Sequence, residues 1–229
     1  MRILLVTLAV VLVGCGKPAE PVAGPGPAQA AERAAAPVKE VKKDDRPVIV
    51  AFGDSLSAGY GLDAGESYPD YLQKALDEKG YSYRVVNQGV SGDTTSGGVE
   101  RIPQALAEKP EIVILELGGN DGLRGLPVSL SKDNLDKMIT AFKGAGAKVV
   151  LAGITLPRNY GPEYIRDFEQ MYPALAAKHK VPRIRFLLDG VATEPKLMLQ
   201  DGIHPTAEGC KIVANRNVFP VLAPLLRKR

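Results

Sequence analysis

From residue 47 onward, short apolar runs alternate with longer amphipathic stretches. Five runs rich in aliphatic and β-branched residues have the length and composition of strands: 48–52, 83–87, 112–117, 148–152 and 184–188. The segments between and after them have helical lengths and patterns: 68–79, 96–107, 131–143, 163–179 and 207–226. Strands that alternate with helices predict a parallel sheet covered on both faces. The sequence therefore predicts an α/β fold, a three-layer α/β/α sandwich around a five-stranded parallel sheet.

The chain before residue 47 has a different character. Residues 1–14 contain one arginine followed by an apolar run too short to span a bilayer, as in an export signal. The sequence Leu-Val-Gly-Cys ending at Cys15 resembles a bacterial lipobox, in which the cysteine becomes the lipidated N-terminus. Segment 16–46 is rich in Ala, Pro and Gly and lacks large apolar side chains, which is typical of a flexible tether. An ordinary secretory signal is the alternative to the lipobox.

These features predict three parts: a lipoprotein signal peptide at 1–14, a lipidated cysteine and tether at 15–46, and a catalytic domain at 47–229. The protein is then exported and anchored by lipid to a bacterial membrane, facing the periplasm or the cell exterior. Gly16 after the cysteine favours the outer membrane if the host is Gram-negative.

Charge and cysteine content narrow the possible partners. The chain has 29 Lys and Arg against 26 Asp and Glu, and only about one of the three net positive charges falls after residue 46. Such a balance gives no basic field for nucleic acid. Cys15 and Cys210 are the two cysteines, so lipidation of the first leaves no disulfide partner within the chain. Cys210 is interpreted as a small buried hydrophobe.

A serine follows the first predicted strand. Ser55 lies in Gly-Asp-Ser-Leu, on the turn that leaves residues 48–52, where its hydroxyl can face a ligand at the rim of the sheet. Helix N-capping is an equally good interpretation of Ser55 alone. Ser57 is a weaker candidate nucleophile on the same turn.

Near the C-terminus, Asp201 precedes His204 by three residues. At this spacing the carboxylate can accept a hydrogen bond from one ring nitrogen and leave the other free to take a proton from a serine. Pro205 biases His204 toward an extended backbone that projects the ring from a loop. A loop hydrogen bond without catalysis is the alternative. His179, the other histidine, is interpreted as solvated surface.

Two more strand-exit loops carry hydrogen-bond donors. Gly92 follows the second strand and can present its amide at the entry to a helix, whereas Asn120 follows the third strand with a side-chain amide. Fixed donors of this kind stabilise the oxyanion of an acyl-transfer intermediate. Each loop alone also fits an ordinary turn.

Together these blocks resemble the GDSL or SGNH hydrolases. Gly-Asp-Ser-Leu, the Gly92 loop, Gly-Gly-Asn-Asp and Asp-x-x-His occur in the order typical of that family, from about residue 48 to the C-terminus. Glu-Leu-Gly-Gly-Asn-Asp-Gly-Leu-Arg-Gly and Leu-Pro-x-Asn-Tyr-Gly are most similar to the bacterial acyl-thioesterase, lysophospholipase and arylesterase group. The resemblance implies a flavodoxin-like SGNH fold. This sequence departs from the family pattern at its N-terminus. Close relatives are often free periplasmic enzymes, whereas this protein is predicted to be tethered by lipid.

The resemblance also implies the roles of the site residues. Ser55 would be the nucleophile, His204 the base and acid, and Asp201 the residue that orients the histidine. The amides of Ser55 and Gly92 and the side chain of Asn120 would form the oxyanion hole. The expected reaction is hydrolysis of acyl esters and thioesters through an acyl-enzyme, without a cofactor or metal.

The substrate is expected to be a small acyl ester or thioester, and the protein is expected to be a monomer. Leu123, Leu126, Leu156 and Pro157 are candidate walls of an acyl groove. Two alternatives remain open: a carbohydrate esterase that deacetylates cell-envelope glycans, and a lipid-anchored binding module without turnover. Tyr60 and Tyr160 could serve the first of these by stacking on sugar rings.

Overall fold

A computed structural model describes residues 44–228 of the 229-residue chain. Residues 1–43, which include Cys15, lie outside the described part. The predicted signal peptide, lipidation and tether therefore stay predictions. Within residues 44–228, no helix is long and apolar enough to cross a membrane.

Five parallel strands form one sheet in the described part of the chain, as predicted. They are β1 Val48–Gly53, β2 Arg84–Gly89, β3 Ile112–Glu116, β4 Lys148–Ala152 and β5 Arg183–Ile184. Their order across the sheet is β2-β1-β3-β4-β5. Every residue of β1 and β3 is buried, which explains why these strands are almost continuously apolar.

Helices cover the sheet in two groups. The α-helices are α1 Ser55–Ala58, α2 Tyr68–Glu78, α3 Thr95–Glu100, α4 Ile102–Ala107, α5 Gly119–Leu123, α6 Val128–Gly144, α7 Pro162–His179, α8 Ala207–Ile212 and α9 Phe219–Leu222. Helix α2 contacts α8, whereas α6 contacts α3, α4 and α7. The direction of strand addition reverses after β2, so right-handed crossovers send the connecting helices to opposite faces. The predicted three-layer sandwich follows from this topology.

The reversal in strand order also determines where the candidate site lies. β1 lies between β2 and β3, and the loops that follow these three strands carry Ser55, Gly92 and Asn120. In doubly wound folds, ligands bind beyond the carboxyl ends of the strands at such a switch point.

Most predicted elements shift by one to three residues at their ends, and three predicted elements differ more than that. Only Ile184 of the predicted strand 184–188 pairs with β4, because the buried Leu187 and Leu188 pack into the core from a loop. The predicted helix 96–107 divides at Arg101, since Pro103 has no amide proton to continue the helical ladder. The predicted helix 207–226 is divided as well. The π-helix Val213–Val218 lies between α8 and α9, and the 3₁₀-helix Ala223–Leu225 follows α9.

Candidate active site

The turn after β1 presents Ser55 at the start of helix α1. Asp54 is the N-cap of this helix, and its Oδ1 accepts a hydrogen bond from the Leu56 amide at 3.0 Å. Ser55 is therefore not the capping residue, which answers the alternative interpretation of its position. Its side chain is left to face a cavity at the carboxyl edge of the sheet.

Ser57, the second candidate on this turn, points the other way. It is completely buried, and its hydroxyl lies 2.8 Å from Glu116 Oε2 and 3.1 Å from the hydroxyl of Tyr68. Ser57 does not line the cavity. The structure thus separates the two serines into one that faces the cavity and one that packs beneath it.

His204 joins Ser55 to Asp201 by two short hydrogen bonds. Its Nε2 lies 2.8 Å from Ser55 Oγ, and its Nδ1 lies 2.7 Å from Asp201 Oδ2. With the Nδ1 proton donated to the carboxylate, Nε2 is unprotonated and accepts from the serine hydroxyl. The predicted triad residues therefore meet although 149 positions separate Ser55 from His204.

The carboxylate of Asp201 is fixed by its own loop. Its Oδ1 accepts hydrogen bonds from the amides of Ile203 and His204, at 2.9 and 3.0 Å. Partial burial favours the neutral acid, but these amides and the imidazole outweigh it and lower the pKa of Asp201 to about 2. Asp201 therefore stays ionised throughout the pH range in which histidine titrates.

The oxyanion candidates lie around the same cavity as the triad. Ser55, Gly92 and Asn120 all line it. Asn120 Nδ2 donates to the carbonyl of Asp93 at 2.8 Å and to Asp54 Oδ2 at 3.2 Å. Because both amide protons already have an acceptor, an oxyanion would take over or share the longer bond, to Asp54. Catalytic hydrogen bonds commonly tighten only when substrate is bound.

The cavity beside Ser55 is large and mostly apolar. Its volume is about 730 Å³. Apolar side chains form most of its wall: Leu123, Ile154, Leu156, Pro157, Ile165, Phe186, Leu188 and Met198. Three of the four predicted wall residues are among them. Leu126 lies outside this lining, because the turn at Gly125 carries it toward α7, where its carbonyl accepts from Tyr164.

Polar groups also reach this cavity. Thr155 donates a hydrogen bond to Glu169, and both residues line the wall together with Arg158. Tyr60 is 52% exposed, and its ring centroid lies 4.5 Å from that of His204. Tyr160 does not line the cavity, since its hydroxyl donates to the Leu123 carbonyl.

Two buried carboxyl groups were not anticipated from the sequence. Burial raises the pKa of Asp54 to about 6, and burial together with the nearby Asp54 raises the pKa of Glu116 well above its ordinary value. The signal was present in the sequence, because Glu116 is the one charged residue in the predicted apolar strand 112–117. A charge within a buried strand requires partners, and here it has Ser57 and the Asp54 amide.

Arg101 holds the loop that carries Gly92. Its guanidinium forms two hydrogen bonds to Asp93, at 2.6 and 2.8 Å, and also donates to the carbonyls of Gln88 and Gly53. It thereby connects the loop that follows β2 to the carboxyl end of β1. Arg101 lies outside the motifs that indicate chemistry in the sequence.

The remaining candidates lie away from the triad. His179 pairs with Asp136 at 2.6 Å and is largely buried, so the prediction of a solvated side chain is wrong, although it does not line the cavity. Cys210 is buried as predicted, and burial raises the pKa of its thiol to about 12. Among residues 44–228, no three His, Cys, Asp or Glu side chains are grouped as metal ligands.

The fold and the site define a serine hydrolase built on an α/β sandwich. The profile of the GDSL-like lipase/acylhydrolase family matches residues 51–212, and the chain belongs to this family. The predicted family and fold are confirmed.

Characterised relatives extend the comparison. Esterase TesA of Pseudomonas aeruginosa is 48% identical over 179 residues, which are 78% of this chain and 89% of the relative. Thioesterase 1/protease 1/lysophospholipase L1 of Escherichia coli K12 is 38% identical over 182 residues, 79% and 82% of the two chains. A crystal structure of TesA superposes with a TM-score of 0.75 at 47% identity, covering 78% of this chain and 99% of that one. The chain is thus an esterase or thioesterase that hydrolyses ester bonds, and the alternative of a binding module without turnover is set aside.

Proposed function

We propose that Ser55, His204 and Asp201 are the catalytic triad of a hydrolase that cleaves carboxylic acyl esters and thioesters through an acyl-enzyme. The continuous pair of hydrogen bonds from Ser55 through His204 to Asp201, opening on the apolar cavity, is the observation that carries this proposal. The proposed substrates are aryl esters, acyl thioesters and lysophospholipids.

The proposed reaction uses each of these residues in turn. Ser55 Oγ attacks the carbonyl carbon while its proton passes to His204 Nε2. Asp201 stabilises the imidazolium that forms and remains ionised itself. The imidazolium then protonates the leaving alcohol or thiol, which leaves an ester on Ser55. Water, activated by the same imidazole, attacks that ester and releases the acid.

Charge develops on the former carbonyl oxygen in both tetrahedral intermediates. We assign its stabilisation to the amides of Ser55 and Gly92 and to the side chain of Asn120. The Gly92 loop and Asn120 are tied together by the hydrogen bond from Asn120 Nδ2 to the Asp93 carbonyl. Donors fixed before the reaction require no reorganisation when the charge appears.

The cavity supports a preference for acyl chains of several carbons. If it holds the acyl chain, each additional buried methylene contributes about 0.8 kcal/mol, nearly a fourfold gain in kcat/KM per carbon until the cavity is filled. We therefore expect kcat/KM on p-nitrophenyl esters to rise from acetate toward medium chains. The measurement covers acetate to dodecanoate, with acyl-CoA for thioesterase activity.

Two leucines provide a matched pair for this prediction. Leu156 lines the cavity and Leu126 does not. Leu156→Ala should reduce the advantage of medium chains over acetate by about three- to tenfold, as expected when a few buried methylene contacts are lost. Leu126→Ala should leave the chain-length profile in place. Equal changes in the two variants would place the acyl chain elsewhere.

The carbohydrate esterase remains the second candidate, because it would use the same residues. Tyr60 favours it, since a half-exposed aromatic ring at the mouth of the cavity can stack on a sugar. Acetylated xylan and acetylated peptidoglycan should be tested as substrates alongside the p-nitrophenyl esters. Activity that falls steadily from acetate upward, with rapid release of acetate from the glycan, would favour this candidate over the long-chain esterase.

For the N-terminal segment, we propose cleavage before Cys15 and lipidation of its thiol, which anchors the enzyme to a bacterial membrane on the periplasmic or outer side. The outer membrane is favoured in a Gram-negative host. Two or more acyl chains are needed for stable anchoring. We also propose that the enzyme is a monomer.

Lipidation predicts a specific cysteine dependence. Full-length protein produced in bacteria should partition into membranes and carry acyl mass on Cys15, and Cys15→Ser should lose both properties. Cys210→Ser is the control, since Cys210 is buried in the enzyme domain. Membrane fractionation and mass spectrometry of the N-terminal peptide measure the outcome. Retained membrane partition in Cys15→Ser would exclude the lipid anchor.

A further inference from the structure

Two buried carboxyl groups lie side by side beneath the turn that carries Ser55. Asp54 is 2% exposed and Glu116 is not exposed. Glu116 Oε2 lies 3.3 Å from the backbone amide of Asp54, and the two side chains shift each other's pKa. Glu116 Oε2 also accepts from Ser57 Oγ at 2.8 Å, while its Oε1 has no hydrogen-bond partner among the described residues.

The surroundings disfavour two negative charges here. Tyr68 and Tyr172 face the pair with neutral hydroxyls, and Asp93 adds a further negative charge. His204 is the group whose charge favours ionisation of Asp54. Arg101, which donates to the carbonyl of Gly53, is paired with Asp93. Two adjacent buried carboxyls in such a setting hold a proton between them at neutral pH.

The backbone beside Asp54 leaves space for the Glu116 side chain. Glu116 is the last residue of β3, and β1 pairs with β3 so that Gly53 lies opposite it. A Cβ at position 53 would overlap both Glu116 Oε2 and Ser57 Oγ. Glycine is therefore required before Asp54 if the two carboxyls are to meet beneath the nucleophile.

We propose that Glu116, in its protonated form, is a positioning residue that donates a hydrogen bond to Asp54. Asp54 in turn caps the helix that begins at Ser55 and accepts the longer hydrogen bond of Asn120. The proton on Glu116 occupies part of the acceptor capacity of Asp54. This fixes the capping carboxylate and weakens its hold on Asn120, so that Asn120 can donate to the oxyanion. The inference rests on the roles proposed above for Ser55 and Asn120.

Glutamine and alanine at position 116 separate positioning from simple packing. Glu116→Gln keeps a neutral donor of the same shape, so its kcat near neutral pH should stay within about threefold of wild type. Glu116→Ala leaves Asp54 without this donor, and its kcat should fall about 5- to 100-fold, the range for loss of one buried hydrogen bond, with little change in KM. Stopped-flow or steady-state hydrolysis of a p-nitrophenyl ester measures both constants on the full-length protein.

The pH dependence of kcat distinguishes a positioning role of Glu116 from a packing role. Glu116 holds its proton below its raised pKa and loses it as the pH rises through that value, which brings a second charge next to Asp54. The wild-type kcat should therefore decline on the alkaline side, and this limb should move to higher pH or vanish in Glu116→Gln. Glu111→Gln is the matched control, because Glu111 adjoins the other end of β3 and pairs with Arg227. It should leave the limb unchanged.

Infrared spectroscopy gives a readout independent of turnover. The band of a protonated buried carboxyl should be present in the wild type at neutral pH and missing in Glu116→Gln. The inference is overturned if this band is unaffected, if Glu116→Ala keeps wild-type kcat, or if Glu116→Gln is as impaired as Glu116→Ala. Should Glu116→Ala not fold, the spectrum and pH profile of Glu116→Gln still decide the question. Full activity in Ser55→Ala would instead contradict the proposed mechanism.

Discussion

Replacing Ser55 by alanine should abolish nearly all ester hydrolysis, because Ser55 is the one hydroxyl within residues 44–228 that is hydrogen-bonded to His204. The expected loss in kcat is roughly 10⁴- to 10⁶-fold, the range for removal of a triad nucleophile. The fold should persist, since Asp54 rather than Ser55 caps the helix at this turn. The measurement is the rate on p-nitrophenyl butyrate together with a thermal unfolding curve of both proteins.

Ser57→Ala is the natural comparison for this experiment. It removes a hydroxyl from the same turn, but one that contacts Glu116 and Tyr68 beneath the cavity. Its effect should be far smaller than that of Ser55→Ala, and it should be accompanied by lower stability because Glu116 loses a donor. A folded Ser55→Ala protein with wild-type activity would remove the proposed mechanism, whatever the result at Ser57.

The sheet and its strand-exit loops could be predicted because their signals are local. β1 and β3 are buried along their whole length, so each appears in the sequence as an apolar run that ends in a polar loop. Gly-Asp-Ser-Leu and Asp-x-x-His each fit an ordinary turn alone, but with the Gly92 and Asn120 loops in order they resemble one family. The strands thus follow from local patterns, whereas the roles of Ser55 and His204 follow from that combination of motifs.

The contacts between distant loops could not be predicted from patterns of this kind. The bond from His204 to Ser55 depends on where the segment after β5 returns over the sheet, and no spacing encodes that distance. Leu126 shows the same limit, because it follows the turn at Gly125 and does not line the cavity, although it is as apolar as Leu123 and Leu156, which do. Apolarity alone does not say which surface a side chain contacts.

The role of Glu116 is hidden in the sequence for a different reason. It is the one charge in the apolar run that predicts β3, and a hydrophobic pattern does not say what a buried carboxyl contacts. A glutamate buried in a parallel strand is costly unless it is protonated or paired, so its presence indicates a requirement in the fold.

Asn120→Ala should lower kcat by roughly 10²- to 10³-fold, with a smaller effect on KM, as is typical for loss of one oxyanion donor. The side-chain amide contacts the oxygen more strongly once it is negatively charged, so the transition state loses more than the bound substrate. Asn120 also links two loops through its hydrogen bond to the Asp93 carbonyl. Loss of that link alone could lower activity, so a control must separate the two effects.

Asn134→Ala provides that control. The amide of Asn134 donates to Thr95 Oγ1 and Ser96 Oγ at the start of α3, directly after the Gly92 loop, and Asn134 does not line the cavity. Its removal should lower the unfolding temperature while kcat stays within a few-fold of wild type. A similar fall in kcat for both variants would indicate that order in the loop, not donation by Asn120, sets the rate. Unchanged kcat in Asn120→Ala would show that the third oxyanion donor lies elsewhere in the cavity.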